Sequence, residues 1–169
     1  SVGFKPKVFE QDSAKRDDPR VADPVLKEGA LLTKVFNRLA RSCFYEAQKN
    51  FEGYMPLGRV SKEVLKKVYN VMCAYEETMY RVELHSIMSQ MDEFIRYANK
   101  YWSSHIKEAD QEGSEELRRQ TLIDSFYLLR IATLLMHPIV PRGTEKICDF
   151  MNFDFDEFFS WNYDFDSME

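Results

Sequence analysis

The residue types best suited to chemistry form a cationic, amide-bearing cluster between positions 34 and 41. Asn37 and Arg41 lie four residues apart, so on a helix they project from one face, with Lys34 and Arg38 within one turn of them. An asparagine amide both donates and accepts hydrogen bonds, and an arginine can stack or hydrogen-bond. Together they suit the recognition of an unpaired base. On spacing alone, an ordinary solvated helix face is the favoured alternative.

Motifs of metal-dependent or phosphate-binding enzymes are absent from the sequence. No histidine belongs to a Glu-x-x-His pattern, and neither His-Glu-x-x-His nor Cys-x-x-Cys occurs. Residues 53–60 imitate a phosphate-binding loop, but Arg59 and Val60 replace the lysine and the hydroxyl residue that such a loop uses. The acidic cluster at 154–157 lacks the spacing of a calcium loop, so a solvated acidic edge is expected. We therefore expect no catalytic residue, no metal site and no cofactor in this chain.

The most apolar stretch, residues 126–136, predicts a helix that is buried on several sides. Its apolar side chains follow helical spacing and also fill the neighbouring faces. Arg130 is its one charged residue, and we expect a buried guanidinium paired with a carboxylate or with loop carbonyls. Two prolines then end the helix, and another helix follows almost at once. The stretch 115–147 is therefore expected to organise the fold.

Apolar periodicity predicts three further helices before this stretch. The first spans about residues 26–51, the second begins after Ser61, a good N-cap, and periodicity then continues to Tyr101. About forty residues exceed a typical globular helix, so we expect a break near residues 76–80. Residues 103–113 are polar and are expected to hold a loop. The fold class is all-α, a bundle of about five main helices.

Length and composition describe one globular domain. The 169 residues are 44% hydrophobic and 30% charged, and the scarcity of glycine and proline, six of each, favours long helices over a turn-rich β fold. Residues 1–23 are expected to form an extended lead-in, and residues 24–169 the bundle with a short aromatic and acidic end. The net charge of −5 argues against a non-specific nucleic-acid binder, but it is compatible with a few local cations.

Cysteine usage and hydropathy indicate the compartment. Cys43, Cys73 and Cys148 are far apart and odd in number, and each falls in an expected amphipathic helix, where a buried free thiol is the usual case. No apolar run approaches the roughly 20 residues of a membrane span. Residues 1–7 lack the charged-then-apolar order of a signal peptide. We expect a cytoplasmic protein with no membrane partner.

Four sequence patterns occur in an order and spacing that are specific as a set. Residues 31–41 carry Asn and Arg four apart, and residues 51–56 follow with Phe-x-Gly-x-x-Pro. Residues 96–101 read Arg-Tyr-Ala-Asn-Lys-Tyr, and residues 129–147 combine the apolar helix with its two prolines. Together they resemble the anticodon-binding helical domain of methionyl-tRNA synthetases, within the class I group. The resemblance covers most of residues 24–161.

The resemblance implies a partner and a role for the cationic cluster. Asn37 and Arg41 stand where the family contacts anticodon bases, while Lys34, Arg38 and Lys100 are candidates for a locally basic face toward the tRNA backbone. Neither the His-x-Gly-His nor the Lys-Met-Ser-Lys-Ser signature of the family's catalytic half occurs here. The implied partners are therefore the anticodon loop of a tRNA and the catalytic domain of a parent synthetase, which would perform the ligase reaction outside this chain.

One departure from the family pattern supports a different function. The family usually has Pro-Trp shortly after its Asn-Lys-Tyr, and that tryptophan stacks on the anticodon. At the corresponding distance after Asn99-Lys100-Tyr101, this sequence has Lys107 and Glu108, and Trp102 lies about two turns too early. A carboxylate at that point would repel phosphates. The alternative is a synthetase-derived helical module that binds a protein and no longer binds tRNA, which the net acidity also favours.

Overall fold

A computed structural model describes residues 24–139 and 141–151, and within these ranges the chain forms α-helices and no strand. The helices are α1 (Pro24–Asn50), α2 (Lys62–Tyr80), α3 (Leu84–Glu112), α4 (Glu115–Met136) and α5 (Pro141–Met151). The predicted all-α bundle of five main helices is confirmed for this part of the chain. The expected lead-in and the aromatic and acidic end lie outside the described residues.

Helix α4 organises the bundle, because it packs against each of the other four helices. The apolar stripe predicted from spacing is buried along its whole length: Leu122, Phe126, Leu129, Ala132 and Met136. Ser114 begins the helix as predicted, and its hydroxyl oxygen accepts a hydrogen bond from the Leu117 amide at 3.2 Å. No helix in the described ranges combines the length and apolarity that a membrane crossing requires.

The prediction of a buried Arg130 is wrong, because this side chain is exposed. Tyr127, one turn earlier, is only half-buried, so a narrow strip of α4 faces solvent between neighbouring helices. Burial raises the pKa of Tyr127, and the nearby positive charge of Arg130 opposes that shift. A sequence that is apolar all round can therefore still present one long cationic side chain to water along such a strip.

Helix α3 is longer than the polar composition of residues 103–113 predicted, and the expected loop there is wrong. The helix continues to Glu112 because Ile106 is half-buried and Ala109 fully buried, which extends the apolar stripe past Tyr101. It ends at Gly113, whose φ of +63° is a left-handed conformation that glycine adopts at low cost. The expected break between α2 and α3 occurs at residues 81–83, directly after the range predicted for it.

The relative directions of the helices follow from a few long-range contacts. Asn99 of α3 contacts Val35 of α1. Further along both helices, Asp110 of α3 and Glu46 of α1 both pair with the guanidinium of Arg118, so α1 and α3 run parallel. Helix α4 returns antiparallel to α3 after the turn at Gly113. The exposed sides of α1 and α3 therefore lie next to each other along much of their length.

The three cysteines lie on helices, and they differ in burial. Cys43 and Cys148 are buried, as expected from their amphipathic patterns, whereas Cys73 is exposed on α2. Burial raises the pKa of the Cys43 thiol well above its ordinary value, which keeps it protonated and unreactive. Only Cys73 departs from the expectation of a buried thiol.

Candidate nucleic-acid interface

The amphipathic pattern of α1 places the cations predicted from the sequence opposite the core. Leu32, Phe36, Leu39 and Cys43 follow helical spacing and are almost completely buried. At about 100° per residue, side chains on the other side of the helix must point to solvent. Between positions 34 and 41 the exposed residues are Lys34, Asn37, Arg38 and Arg41. We call Lys34, Arg38 and Arg41 the cationic face.

Among the residues that the structure describes, no carboxylate pairs with the cationic face. Together with Asn37, its three side chains line one concavity on α1, whose described lining also includes Thr33 and Ser42. The four residues proposed from spacing are therefore brought together, and their contact with tRNA stays a prediction.

Helix α3 adds two further cations beside α1. The Asn99 side-chain amide donates hydrogen bonds to the carbonyl oxygens of Val35, at 3.2 Å, and of Ile95, at 3.0 Å. This contact holds Arg96 and Lys100, which lie three residues before and one after Asn99, at the edge of α1. The two helices share a concavity of about 280 Å³, lined among described residues by Val35, Arg38, Arg96, Asn99, Lys100 and Ser103.

The two cations of α3 differ in their surroundings. Arg96 pairs with Asp92 one turn earlier, at 2.7 Å, and both side chains are largely exposed. Hydrogen bonding and charge attraction from Asp92 raise the pKa of Arg96. Lys100 is exposed and forms no ion pair among the described residues. Sequence reasoning named Lys100 but missed Arg96, although Arg96 begins the quoted Arg-Tyr-Ala-Asn-Lys-Tyr segment.

The structure also locates the residues at which this sequence departs from the family pattern. Trp102 is only 9% exposed and belongs to the core, so its ring is not presented for stacking on a base. Lys107 and Glu108 are exposed near the end of α3. The tryptophan that the family pattern places here therefore has no exposed aromatic counterpart at these three positions.

A buried carboxylate that the sequence did not indicate holds the framework behind this surface. Asp124 on α4 is completely buried. It accepts hydrogen bonds from the Tyr101 hydroxyl at 2.7 Å, the Ser61 backbone amide at 2.8 Å and the Gln120 amide at 3.1 Å. These bonds join the start of α2 to α3 and α4, so the role of the carboxylate is to position helices. Polar residues at buried helical positions are the signal that could have identified it.

Two of the three histidines contact other residues of the bundle, and the third is exposed. The His105 ring stacks on Tyr101 with centroids 4.0 Å apart, and its Nδ1 lies 2.8 Å from the Tyr101 carbonyl oxygen. His137 contacts the Thr144 hydroxyl at 2.9 Å between α4 and α5, and His85 is exposed at the start of α3. Among the described residues, no three His, Cys, Asp or Glu side chains are grouped as metal ligands.

Comparison with known proteins identifies three similar methionine–tRNA ligases. The one from Ignicoccus hospitalis is 31% identical over 93 residues, which make up 53% of this chain and 16% of that protein. The one from Bacillus cereus is 28% identical over 104 residues, which make up 59% of this chain and 18% of that protein. The one from Korarchaeum cryptofilum is 24% identical over 100 residues, which make up 57% of this chain and 18% of that protein.

The similarity to each of these ligases is limited to a short part of its length. The matched part is less than a fifth of each relative's length. No protein-family model and no solved structure matches the chain. The three matches support a synthetase-related domain.

Proposed function

We propose that this chain is a tRNA-binding domain of a methionyl-tRNA synthetase or a synthetase-like protein, and that α1 contacts the anticodon loop. Asn37 and Arg41 would contact unpaired bases, while Lys34 and Arg38 attract the phosphates around them. The domain would thereby position the tRNA for aminoacylation by a catalytic domain outside this chain. The three methionine–tRNA ligase relatives support the choice of nucleic acid.

The observation that carries the proposal is a local concentration of positive charge, with no ion pair to any described residue, on an otherwise acidic protein. The chain has a net charge of −5, yet Lys34, Arg38 and Arg41 share one exposed helix side, and Lys100 lies across the shared concavity with α3. A local cationic surface attracts a polyanion even when the net charge is negative, because the field near the surface is set by the nearest charges.

The test is a titration of the protein with a methionine tRNA and with an unrelated tRNA, at low and at moderate salt. We expect tighter binding of the methionine tRNA, and a loss of about 1–3 kcal/mol in each of the Asn37→Ala and Arg41→Ala variants. Lys66→Ala, which removes an exposed lysine from α2, is the matched control and should bind as the unchanged protein does. A folded protein that binds neither tRNA at low salt would refute the proposal.

A second candidate function, a protein-interaction module, is favoured by a different observation. The turn between α2 and α3 presents apolar side chains to solvent, with Met79 36%, Val82 75% and Tyr80 90% exposed. Clustered exposed apolar side chains are typical of protein contact surfaces. If tRNA binding is absent, a complex with a catalytic synthetase domain that Tyr80→Ala weakens would favour this candidate.

A further inference from the structure

An exposed aromatic ring lies on α1 one helical turn beyond the cationic face. Tyr45 follows Arg41 by one helical turn, and its side chain is 65% exposed. At about 100° per residue, Lys34, Arg41 and Tyr45 point within about 40° of one another, on the side away from the buried Cys43. The ring therefore continues the line of cations along the helix axis, roughly 6 Å beyond Arg41.

Other aromatic side chains near this surface are held by the core. Phe44 is half-buried and packs edge-on against Phe126, with ring centroids 5.7 Å apart. Trp102 is buried, and Tyr97 is half-buried under the ammonium of Lys67, 5.1 Å from its ring centroid. Among the aromatic residues of α1 with described side chains, Tyr45 alone has an exposed ring.

The chemistry of this arrangement suits an unpaired nucleotide. Cations attract the backbone phosphates, and an exposed aromatic ring offers a flat apolar face on which a base can stack. An exposed tyrosine costs hydrophobic free energy in the unbound protein, and a stacked base would recover part of it. The side chain loses little conformational entropy on binding, since only two torsions must be ordered.

We propose that Tyr45 is a base-stacking residue for a single-stranded RNA loop bound along α1. This inference rests on the proposed function, because the loop must lie on the cationic face for its next base to reach the ring. Asn37 and Arg41 would read and hold one part of the loop, and Tyr45 would stack on a base one helical turn further toward the end of α1.

The experiment measures binding of an RNA stem-loop that carries the methionine anticodon. Four proteins are compared with the unchanged one: Tyr45→Leu, Tyr45→Phe, Arg41→Ala and Tyr80→Leu. Tyr80 is the matched control, because it is also exposed and lies at the far end of the bundle from Tyr45. Since α1 and α3 run parallel, the separation along the axis is on the order of 35 Å.

Stacking predicts a specific pattern of losses. Tyr45→Leu should weaken binding about 5- to 150-fold, the range for one stacked base, whereas Tyr45→Phe and Tyr80→Leu should stay within about twofold. An RNA with an abasic nucleotide at the stacked position should bind the unchanged protein more weakly, but should bind Tyr45→Leu as well as the intact RNA does. The slope of affinity against salt should not change in Tyr45→Leu, because no charge is removed.

The outcomes separate this inference from the proposed function. If Arg41→Ala weakens binding and Tyr45→Leu does not, tRNA binding stands and the stacking role is overturned. An equal loss in Tyr80→Leu and Tyr45→Leu would likewise overturn it, because the effect would then not belong to this site. If the unchanged protein does not bind the stem-loop at low salt, both proposals fall.

Discussion

Asn99 joins two helices at the centre of the candidate interface, because its side-chain amide donates to the Val35 carbonyl oxygen, 64 residues away, at 3.2 Å. The Val35 carbonyl belongs to α1 and Asn99 to α3, so the bond helps to set the spacing between the two sets of cations. The same amide also donates to Ile95, within its own helix. One side chain therefore connects the local structure of α3 to the position of α1.

Removing this amide should destabilise the bundle. Asn99→Ala is expected to lower the free energy of unfolding by about 1–2 kcal/mol, since it removes a part-buried hydrogen bond between helices. Urea denaturation measures the change. Asn70→Ala, at an exposed position of α2, is the control and should be close to neutral. Equal effects of the two substitutions would show that the contact with Val35 contributes nothing specific.

Salt dependence should identify which cations contact phosphates. Replacing Lys34 or Arg38 by alanine should reduce the slope of the logarithm of tRNA affinity against the logarithm of salt concentration by about one, because one fewer counterion is released. The slope should not change in Lys66→Ala, on α2. The measurement is a series of tRNA titrations at increasing salt. An unchanged slope in both Lys34→Ala and Arg38→Ala would place the phosphates elsewhere.

The hydrogen bond from Tyr101 to the buried Asp124 should make stability depend on alkaline pH. Burial, together with this bond and the Asp124 charge, raises the pKa of Tyr101 above its ordinary value of 10.0. The folded state therefore holds the proton more tightly than the unfolded state does. The protonated Tyr101 hydroxyl therefore contributes its full stabilisation below about pH 10, and this contribution is lost as the pH rises through the pKa of Tyr101 in the folded state.

Tyr101→Phe tests this coupling. At pH 7 it should lower the free energy of unfolding by about 1–3 kcal/mol, because Asp124 loses one of its three hydrogen-bond donors in the interior. Between pH 7 and a pH above 10, the free energy of unfolding should fall less in the variant than in the unchanged protein. Urea denaturation at the two pH values measures this difference. The exposed Tyr80→Phe is the control and should match the unchanged protein throughout. Parallel pH curves for Tyr101→Phe and the unchanged protein would contradict the coupling.

Two ion pairs of similar geometry should differ in strength because they differ in burial. Glu46 accepts from Arg118 at 2.6 Å, and their side chains are only 9% and 13% exposed. Glu46→Gln should cost about 2–3 kcal/mol of unfolding free energy, less than a wholly isolated buried charge would, because Asp110 still pairs with Arg118. The comparison is Asp92→Asn in the exposed pair with Arg96, which should cost less than about 1 kcal/mol. Equal losses in denaturation experiments would contradict the role of burial.

The backbone of Val82 should be a site of stabilising substitution. This residue has a φ of +57° in the turn between α2 and α3, a left-handed conformation that is unfavourable for a β-branched side chain. Val82→Gly should raise the free energy of unfolding by about 0.5–1 kcal/mol, after allowance for the greater freedom of glycine in the unfolded chain. Thermal denaturation measures this. Val82→Ala retains the strain, so a gain in that variant as large as in Val82→Gly would exclude strain relief.

The contrast between α3 and α4 shows where sequence reasoning failed. Residues 103–112 have the polarity of a loop, yet they form a helix. Ile106 packs against the core and Ala109 is buried, and these two apolar residues are too few to change the local composition. Arg130 stands among apolar residues, yet its side chain is exposed, because it lies on the side of α4 that the described helices leave open to solvent. Both errors arose because burial depends on which elements lie alongside, which local composition does not specify.

By itself the sequence determined the helical class, the buried stripes of the long helices and the outward positions of Asn37 and Arg41. These properties depend on the 3.6-residue period, which is local. Only the tertiary structure decided that Arg96 and Lys100 stand beside Arg38 and that Trp102 is buried. Those facts depend on the parallel packing of α1 and α3, which long-range contacts such as that of Asn99 with Val35 maintain.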